Sequence, residues 1–141
     1  MSSIWFTPFT LEEINERAKD SLSEHLGIAF TEMGPDFLTA TMPVASTTRQ
    51  PMGVLHGGAS CALAETVGSA AANYCVNQEE KLCVGLEINV NHLRAVRSGT
   101  IRAVAKPFHL GGTTQVWEIK IYNEAELLIA VSRLTMAVLA K

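Results

Sequence analysis

The spacing of apolar and polar positions predicts a short helix and two strands in the first third of the chain. Apolar residues recur at helical intervals behind Thr10 and Glu13, which stand at capping-box spacing. Farther along, Gly34-Pro35-Asp36 separates two strand-like runs and indicates a turn between them. The predicted elements are a helix over residues 11–22, strands over 28–33 and 37–44, and a loop over 45–55.

A change of composition near residue 58 predicts a buried helix that continues to about residue 75. Ala, Gly, Ser and Cys dominate this stretch, Leu63 and Val67 stand four apart, and no residue breaks the helix. Side chains this small let a neighbouring backbone approach the helix closely.

Alternating apolar and polar residues predict that the rest of the chain is strand. In the first of these strands, Leu86, Ile88 and Val90 are expected on one face, with polar residues on the other. Short polar turns between the strands favour a meander and therefore an antiparallel sheet. The predicted strands cover residues 82–93, 101–108, 115–122 and 127–139. The chain, residues 1–141, is thus expected to form one α+β domain of about six strands and one long helix.

Composition excludes several classes of protein. With 48% hydrophobic and 18% charged residues the chain is expected to be globular, and a net charge of −3 argues against nucleic acid as a partner. We find no apolar run long enough to span a membrane and no export signal at the start, so we expect a cytoplasmic protein without a membrane partner. The odd set Cys61, Cys75 and Cys83 is expected to stay reduced.

Glu65 is the only charged residue between Arg49 and Glu79, and it falls in the middle of the small-residue helix. Because that helix is apolar on nearly every side, we expect the carboxylate to be buried, at a cost of several kcal/mol unless it is paired. Ser69 follows four residues later on the same face and could position it. The ordinary alternative is a glutamate that faces solvent or caps a neighbouring strand.

The segment from Gln50 to Gly58, QPMGVLHGG, leads directly into this helix. A helix N-terminus presents unpaired N–H groups that can stabilise an anion or a developing oxyanion. Glycines 57 and 58 let a substrate approach that backbone, and Gln50 and His56 supply further polar groups beside it. Taken alone, the segment is equally typical of a glycine-rich hinge with a structural histidine.

Together, these two features predict an acyl-transfer site shared between subunits. The carbonyl to be attacked is expected to be held and polarised by Gln50, His56 and Gly57, and Glu65 provides a carboxylate. Gly57 and Glu65 are eight residues apart, which is about 12 Å along one helix. A base in contact with the reacting carbon cannot lie that far from its own oxyanion hole. We therefore expect Glu65 to act with Gly57 of a second chain, in a homodimer.

The sequence resembles the hotdog-fold acyl-CoA thioesterases of the PaaI-like family, and within them the small bacterial hydrolases of aromatic acyl thioesters in menaquinone and siderophore synthesis. The resemblance rests on QPMGVLHGGASCALAETVGS (50–69), VGLEINVNHLRAVRSG (84–99) and HLGGTTQVW (109–117). It implies a sheet wrapped around a central helix, in dimers that pair into a homotetramer.

The resemblance also implies roles for individual residues. It places the catalytic carboxylate at Glu65, as nucleophile or general base, and the polarising N–H at Gly57. It places supporting polar groups at Gln50, His56 and Ser69. It places substrate and CoA contacts at Gly85, His92, Leu93, Arg94, Ala95, His109, Leu110, Gly111, Gly112, Thr113 and Thr114. At Gly112, Thr113 and Thr114 this sequence lacks the basic residues expected for CoA phosphates, so the charge there is expected from Arg94, Arg97 or Lys106.

The expected reaction is hydrolysis of an aromatic acyl-CoA, such as 1,4-dihydroxy-2-naphthoyl-CoA or a benzoyl-type thioester, to the free acid and CoA. No cofactor or metal is expected, because a thioester carbonyl is already activated and His25, His56, His92 and His109 lack metal-ligand spacing. The alternatives are a proofreading thioesterase that acts on carrier-protein-bound aryl groups and a protein that binds acyl-CoA without hydrolysing it. A hydratase is a further alternative, but its longer signature is absent from the sequence.

Overall fold

Three helices and six strands make up residues 2–141, the part of the chain that the computed structural model describes. In chain order they are α1 (Leu11–Arg17), α2 (Leu22–His25), β1 (Ala29–Met33), β2 (Leu38–Pro43), α3 (Gly57–Tyr74), β3 (Lys81–His92), β4 (Thr100–Leu110), β5 (Thr114–Tyr122) and β6 (Leu128–Ala140). The strands form one antiparallel sheet in the order β1-β2-β4-β5-β6-β3.

The sheet wraps around α3, as expected for a hotdog fold. On the helix, Leu63, Val67 and Ala71 are completely buried against the inward residues of the strands. Gly68 is required where α3 crosses the sheet, because a Cβ there would lie 2.6 Å from Leu134 Cδ2. Its small residues therefore allow α3 to lie close to β5 and β6. No helix within residues 2–141 is long and apolar enough to cross a membrane.

The prediction of a helix over residues 11–22 is wrong at its C-terminal end. Thr10 and Glu13 form the expected capping box, but α1 ends at Arg17. Asp20 then adopts a left-handed φ of 57°, and the separate helix α2 begins at Leu22. Apolar spacing continues through this break to Leu22, so periodicity alone does not reveal it, but the Leu22 side chain is 64% exposed and does not cover the core.

The prediction of a simple meander is wrong for β3. This strand pairs with β6, whereas β4 lies between β2 and β5. The α3 crossover brings the chain to the far edge of the sheet, and residues 93–99 bring it back. The other side of β3 is paired with no described strand, so β3 is an edge strand.

Leu86 does not lie on the same face as Ile88 and Val90, in contrast to the prediction. The pairing of β3 with β6 shifts between Gly85 and Glu87, which makes Leu86 the extra residue of a β-bulge. Its side chain is 62% exposed, while Ile88 and Val90 pack against the core. The bulge interrupts the period of two on which the prediction relied.

The three cysteines are free in the structure. Cys83 is buried, and Cys61 and Cys75 are half-buried. Burial, and to a lesser extent the neighbouring Cys83, raises the pKa of Cys75 to about 12. This thiol therefore stays protonated at neutral pH and is a poor nucleophile.

Asn73 fastens the edge strand β3 to α3, and we expect its loss to be costly. Its Nδ2 donates to Cys83 O at 3.1 Å, and its Oδ1 accepts from Cys83 N at 2.9 Å. Asn73→Ala leaves both backbone groups of a buried residue unpaired, so the free energy of unfolding should fall by about 2–4 kcal/mol. Urea unfolding measures this loss, with Asn91→Ala at an exposed position of β3 as the control. Equal free energies of unfolding for the two variants would contradict the prediction.

Candidate active site

Glu65 lies on the open side of α3 and is exposed, which corrects the expectation of a buried carboxylate. The sheet covers the opposite face of the helix and leaves this side to solvent. The Glu65 carboxylate lies against β3, where a Cβ at Gly85 would be 2.9 Å from its Oε2. The glycine thus makes room for the carboxylate beside the edge strand. No ion pair involves Glu65 in the described chain.

Ser69 does not hold Glu65 in the way that the spacing suggests. No hydrogen bond joins its hydroxyl to the carboxylate within residues 2–141, and the Ser69 contact that we observe is its carbonyl accepting from Asn73 Nδ2 at 2.9 Å. The nearest titratable neighbour on the helix is Cys61, one turn earlier. Its pKa is raised, mainly by burial and further by the negative charge of Glu65.

A groove of about 340 Å³ lies at the N-terminus of α3. Two segments that are distant in sequence meet there, the loop 50–57 and the residues that follow β3. Contact between them is close, because a Cβ at Gly57 would lie 2.9 Å from His92 Nε2. The predicted site residues that line the groove are Gln50, Gly57, His92, Leu93, Arg94 and Ala95.

His56 and Gln50 are held in place by backbone groups. His56 is the N-cap of α3, and its Nδ1 accepts from Gly58 N at 2.8 Å. Gln50 Oε1 accepts from the Met52 backbone N–H, which leaves its NH₂ group directed to other acceptors. With Nδ1 already an acceptor, neutral His56 carries its proton on Nε2. Both side chains therefore have donors available beside the groove.

The hairpin that holds the remaining predicted residues lies at the other end of the helix. Leu110 and Gly111 line a second cavity together with Cys75 and Val76, which follow the C-terminus of α3. Gly111 N donates to Thr114 O at 2.9 Å and closes the hairpin. Because α3 spans 18 residues, about 27 Å, one chain does not bring residues 109–114 to the groove.

Several residues of the groove were not anticipated from the sequence. They are apolar or small and come from four separate segments, so no local motif marks them. The additional lining residues are Val54, Leu55, Ser60, Val96 and Ile129. The one available signal is Ser60, which is a polar residue only 2% exposed at the first turn of an apolar helix.

The geometry favours chemistry at a carbonyl carbon. The groove combines the Gly57 amide at the N-terminus of α3 with the side-chain amide of Gln50, which suits a developing oxyanion. His56 does not line the groove but directly precedes Gly57 in the chain. Glu65 provides an exposed carboxylate outside this groove. Within the described part of the chain, no group of three or more His, Cys, Asp or Glu side chains is placed to hold a metal ion.

Known proteins match both the sequence and this architecture. The family model "Thioesterase superfamily" matches residues 52–130. The 1,4-dihydroxy-2-naphthoyl-CoA hydrolase of Escherichia coli is 50% identical over 96% of this chain and 99% of its own length. The proofreading thioesterase EntH of Cronobacter sakazakii is 48% identical over 96% and 98%.

A solved structure agrees with them. Thioesterase HI1161 from Haemophilus influenzae superposes with a TM-score of 0.95 at 51% identity, over 97% of this chain and 95% of that one. Both long sequence matches run through the loop at residue 50, α3 and the strands that form the groove. The chain is therefore a thioesterase, a hotdog-fold member of the thioesterase superfamily.

Proposed function

We propose that the chain hydrolyses aromatic acyl-CoA thioesters at a site in which Glu65 of one subunit acts on a carbonyl held by Gln50, His56 and Gly57 of another. The observation that most supports this is the exposed Glu65 carboxylate beside the unpaired edge of β3. A charged group in that position is ready to meet a substrate that a second chain presents along the same edge.

The edge strand also supports the dimer. β3 is twelve residues long, has one free side, and exposes Val84 and Leu86 there. Long unpaired strands with exposed apolar residues are templates for pairing with another chain. Antiparallel pairing of β3 with its own copy reverses its direction, so the Gly85 end faces the partner's His92 end. Because Glu65 lies against Gly85 and His92 lies against Gly57, this pairing brings the carboxylate of one chain towards the groove of the other.

The same pairing explains how the hairpin of residues 109–114, at the far end of α3, can contribute to the site. Thr113 O accepts from Val138 N, and Lys81 pairs with Ala140, so residues 109–114 lie near the start of β3. In the antiparallel dimer, the start of β3 faces the end of its copy. The hairpin of one chain therefore complements His92 to Ala95 of the other, and the CoA contacts inferred from the family come from both subunits. Pairing of two such dimers into a tetramer is part of this proposal.

Hydrolysis forms a bond from an oxygen to the thioester carbon and breaks the C–S bond, and Glu65 can promote this in two ways. As general base, Glu65 takes a proton from water while the water oxygen bonds to the thioester carbon, and the Gly57 N–H stabilises the oxyanion. The C–S bond then breaks, and the CoA thiolate takes up a proton. As nucleophile, Glu65 instead bonds to the carbon, expels the thiolate and forms an anhydride that water hydrolyses. Neither course requires a metal or another cofactor.

A single turnover in ¹⁸O-labelled water tests the nucleophilic course, because only that course can label the enzyme. Attack by water on the thioester, or on the acyl carbonyl of the anhydride, puts the label in the product acid. Hydrolysis of an anhydride at the Glu65 carbonyl puts the label in the enzyme. Mass spectrometry of acid and protein after one turnover measures both.

A panel of thioesters tests the substrate proposal. We expect kcat/KM to be highest for aromatic acyl-CoA such as 1,4-dihydroxy-2-naphthoyl-CoA or a benzoyl-CoA, and at least about tenfold lower for acetyl-CoA. The relative named as a naphthoyl-CoA hydrolase supports this choice. A preference for short aliphatic acyl groups would contradict it.

A carrier protein is the second candidate for the group that holds the acyl chain. Arg49, Arg94 and Arg97 are exposed, and none of them forms an ion pair within residues 2–141. Arg49 Nε donates to Arg97 O at 3.2 Å, which joins the two loops beside the groove. This positive patch on a protein of net charge −3 suits CoA phosphates or an acidic carrier domain. Comparing kcat/KM for one acyl group on CoA and on a carrier protein decides between them.

A further inference from the structure

Ser60 is a buried polar residue that has no role in the site as described so far. Its side chain is 2% exposed, yet it lines the groove at the N-terminus of α3. Its hydroxyl forms no hydrogen bond with any residue from 2 to 141. The Ser132 hydroxyl, which is also unpaired, is sealed inside the protein. The Ser60 hydroxyl is not sealed, so its free donor and acceptor positions open to the groove.

The unpaired state of this hydroxyl is unusual for a serine in a helix. Such a hydroxyl commonly donates to a carbonyl of the preceding turn. For Ser60 that carbonyl is His56 O, which instead accepts the backbone N–H groups of Ala59 at 3.0 Å and of Ser60 itself at 3.2 Å. The hydroxyl proton of Ser60 is therefore available to a ligand in the groove.

Of the first four backbone N–H groups of α3, three already have acceptors. Gly58 N donates to His56 Nδ1 at 2.8 Å, and Ala59 N and Ser60 N both donate to His56 O. Among the described residues, only the Gly57 N–H has no acceptor. The helix thus offers one backbone donor to the groove. An oxyanion is stabilised best by several converging donors, so side chains have to supply the others.

Ser60 is placed to be one of these side chains. It follows Gly57 by three residues, which puts both on the same side of α3. The Cα–Cβ bonds of a helix point towards its N-terminus, so the Ser60 hydroxyl lies over the turn that Gly57 begins. The two free donors therefore face the same part of the groove, which both residues line.

We propose that the Ser60 hydroxyl donates a hydrogen bond to the thioester carbonyl oxygen beside the Gly57 N–H, and that it stabilises the oxyanion as charge develops there. This inference rests on the proposed function, since it takes Gly57 as the oxyanion donor. Ser60 keeps its proton throughout, so the two courses of the reaction are unchanged. Leaving a buried donor unpaired costs stability in the free enzyme, and the substrate oxygen that pairs with it offsets this cost.

Removing the hydroxyl tests the proposal by kinetics and stability together. For Ser60→Ala we expect kcat for benzoyl-CoA to fall about 10- to 100-fold, with KM changed less than about threefold. The melting temperature should stay equal or rise, because the hydroxyl has no partner in the protein. Ser60→Cys, which nearly keeps the size of the side chain but donates weakly, should show the same loss of kcat.

Ser132→Ala is the matched control. Ser132 is also buried, at 6% exposure, and its hydroxyl is also unpaired, but it does not line the groove. The variant should keep wild-type kinetics. If Ser60 had only a structural role, Ser60→Ala would lower the melting temperature, and Ser60→Cys would restore kcat.

The stretching frequency of the substrate carbonyl shows whether Ser60 contacts it directly. Benzoyl-CoA labelled with ¹³C at the carbonyl is bound to Glu65→Gln, which should not hydrolyse it, and infrared difference spectra record the labelled band. A hydrogen bond weakens the C=O bond and lowers its frequency. Adding Ser60→Ala should therefore move the band to higher frequency, whereas adding Ser132→Ala should leave it in place.

The results separate this inference from the proposed function. If Gly57→Pro is inactive but Ser60→Ala keeps kcat within about twofold of the wild type, Ser60 is not an oxyanion donor and the proposed function stands. A loss confined to KM, or a lower kcat with an unchanged carbonyl frequency, also overturns the inference. If the wild type hydrolyses no aromatic thioester, or Gly57→Pro keeps full activity, the proposed function fails and the inference fails with it.

Discussion

Glu65→Gln should lower kcat by about 1,000-fold while leaving the fold and the affinity for CoA intact. Glutamine has the shape of glutamate but can neither accept a proton from water nor attack a carbonyl. Because Glu65 is exposed and forms no ion pair within the described residues, its replacement should change the free energy of unfolding by less than about 0.5 kcal/mol.

Steady-state kinetics, urea unfolding and calorimetric titration with CoA measure the three quantities on the same preparation. Glu79→Gln, an exposed glutamate beyond the end of α3, is the matched control and should keep wild-type kinetics. If Glu65→Gln retained more than a small percentage of wild-type turnover, Glu65 would not be the catalytic group. If it lost both turnover and CoA binding, the residue would act in binding instead.

Gly57→Pro should lower kcat by about 100- to 1,000-fold, because it removes the backbone N–H that we propose as the oxyanion donor. Gly57 is the first residue of α3, where proline is well tolerated, and His56 before it has the extended backbone (φ −70°, ψ 130°) that proline requires. Gly57→Ala keeps the N–H and is the control for the added Cβ, which approaches His92.

Mixing the two inactive variants tests whether the site is shared. In a heterodimer of Glu65→Gln and Gly57→Pro chains, one of the two sites combines an intact Glu65 with an intact Gly57. Heterodimers purified through two different affinity tags should therefore recover about half of the wild-type activity, as expected for a symmetric dimer with sites across its interface. Heterodimers that stay inactive would show that each chain uses its own Glu65 and Gly57.

Local patterns predicted the secondary structure well wherever a period stayed uninterrupted. The small-residue helix, predicted from about residue 58 to 75, is α3, and the strand predicted over residues 115–122 is β5. Prediction failed where a single residue broke the period. Asp20, with a left-handed backbone, separates α1 from α2, and Leu86 shifts the alternation of β3 by forming a bulge. Neither break changes the composition of its segment.

The residues of the candidate site could be predicted from the sequence, but their positions and exposure in the fold could not. Glu65 stands out because it is the one charge in an apolar helix, and the loop from Gln50 to Gly57 stands out by its glycines. The expectation that Glu65 is buried was wrong, because composition shows how apolar a helix is but not which side the sheet leaves uncovered. That side depends on β3, whose position at the edge beside β6 follows from long-range pairing.

By itself, the sequence determined that the chain is an α+β protein with one small-residue helix, that its one unusual carboxylate is Glu65, and that eight residues separate this carboxylate from Gly57. Those properties depend on composition and on the short-range geometry of a helix. Only the tertiary structure decided that Glu65 is exposed beside Gly85, that His92 meets Gly57, and that the hairpin lies at the far end of α3. These contacts join residues from distant segments, and they exist because the strands pair in an order that local periodicity does not encode.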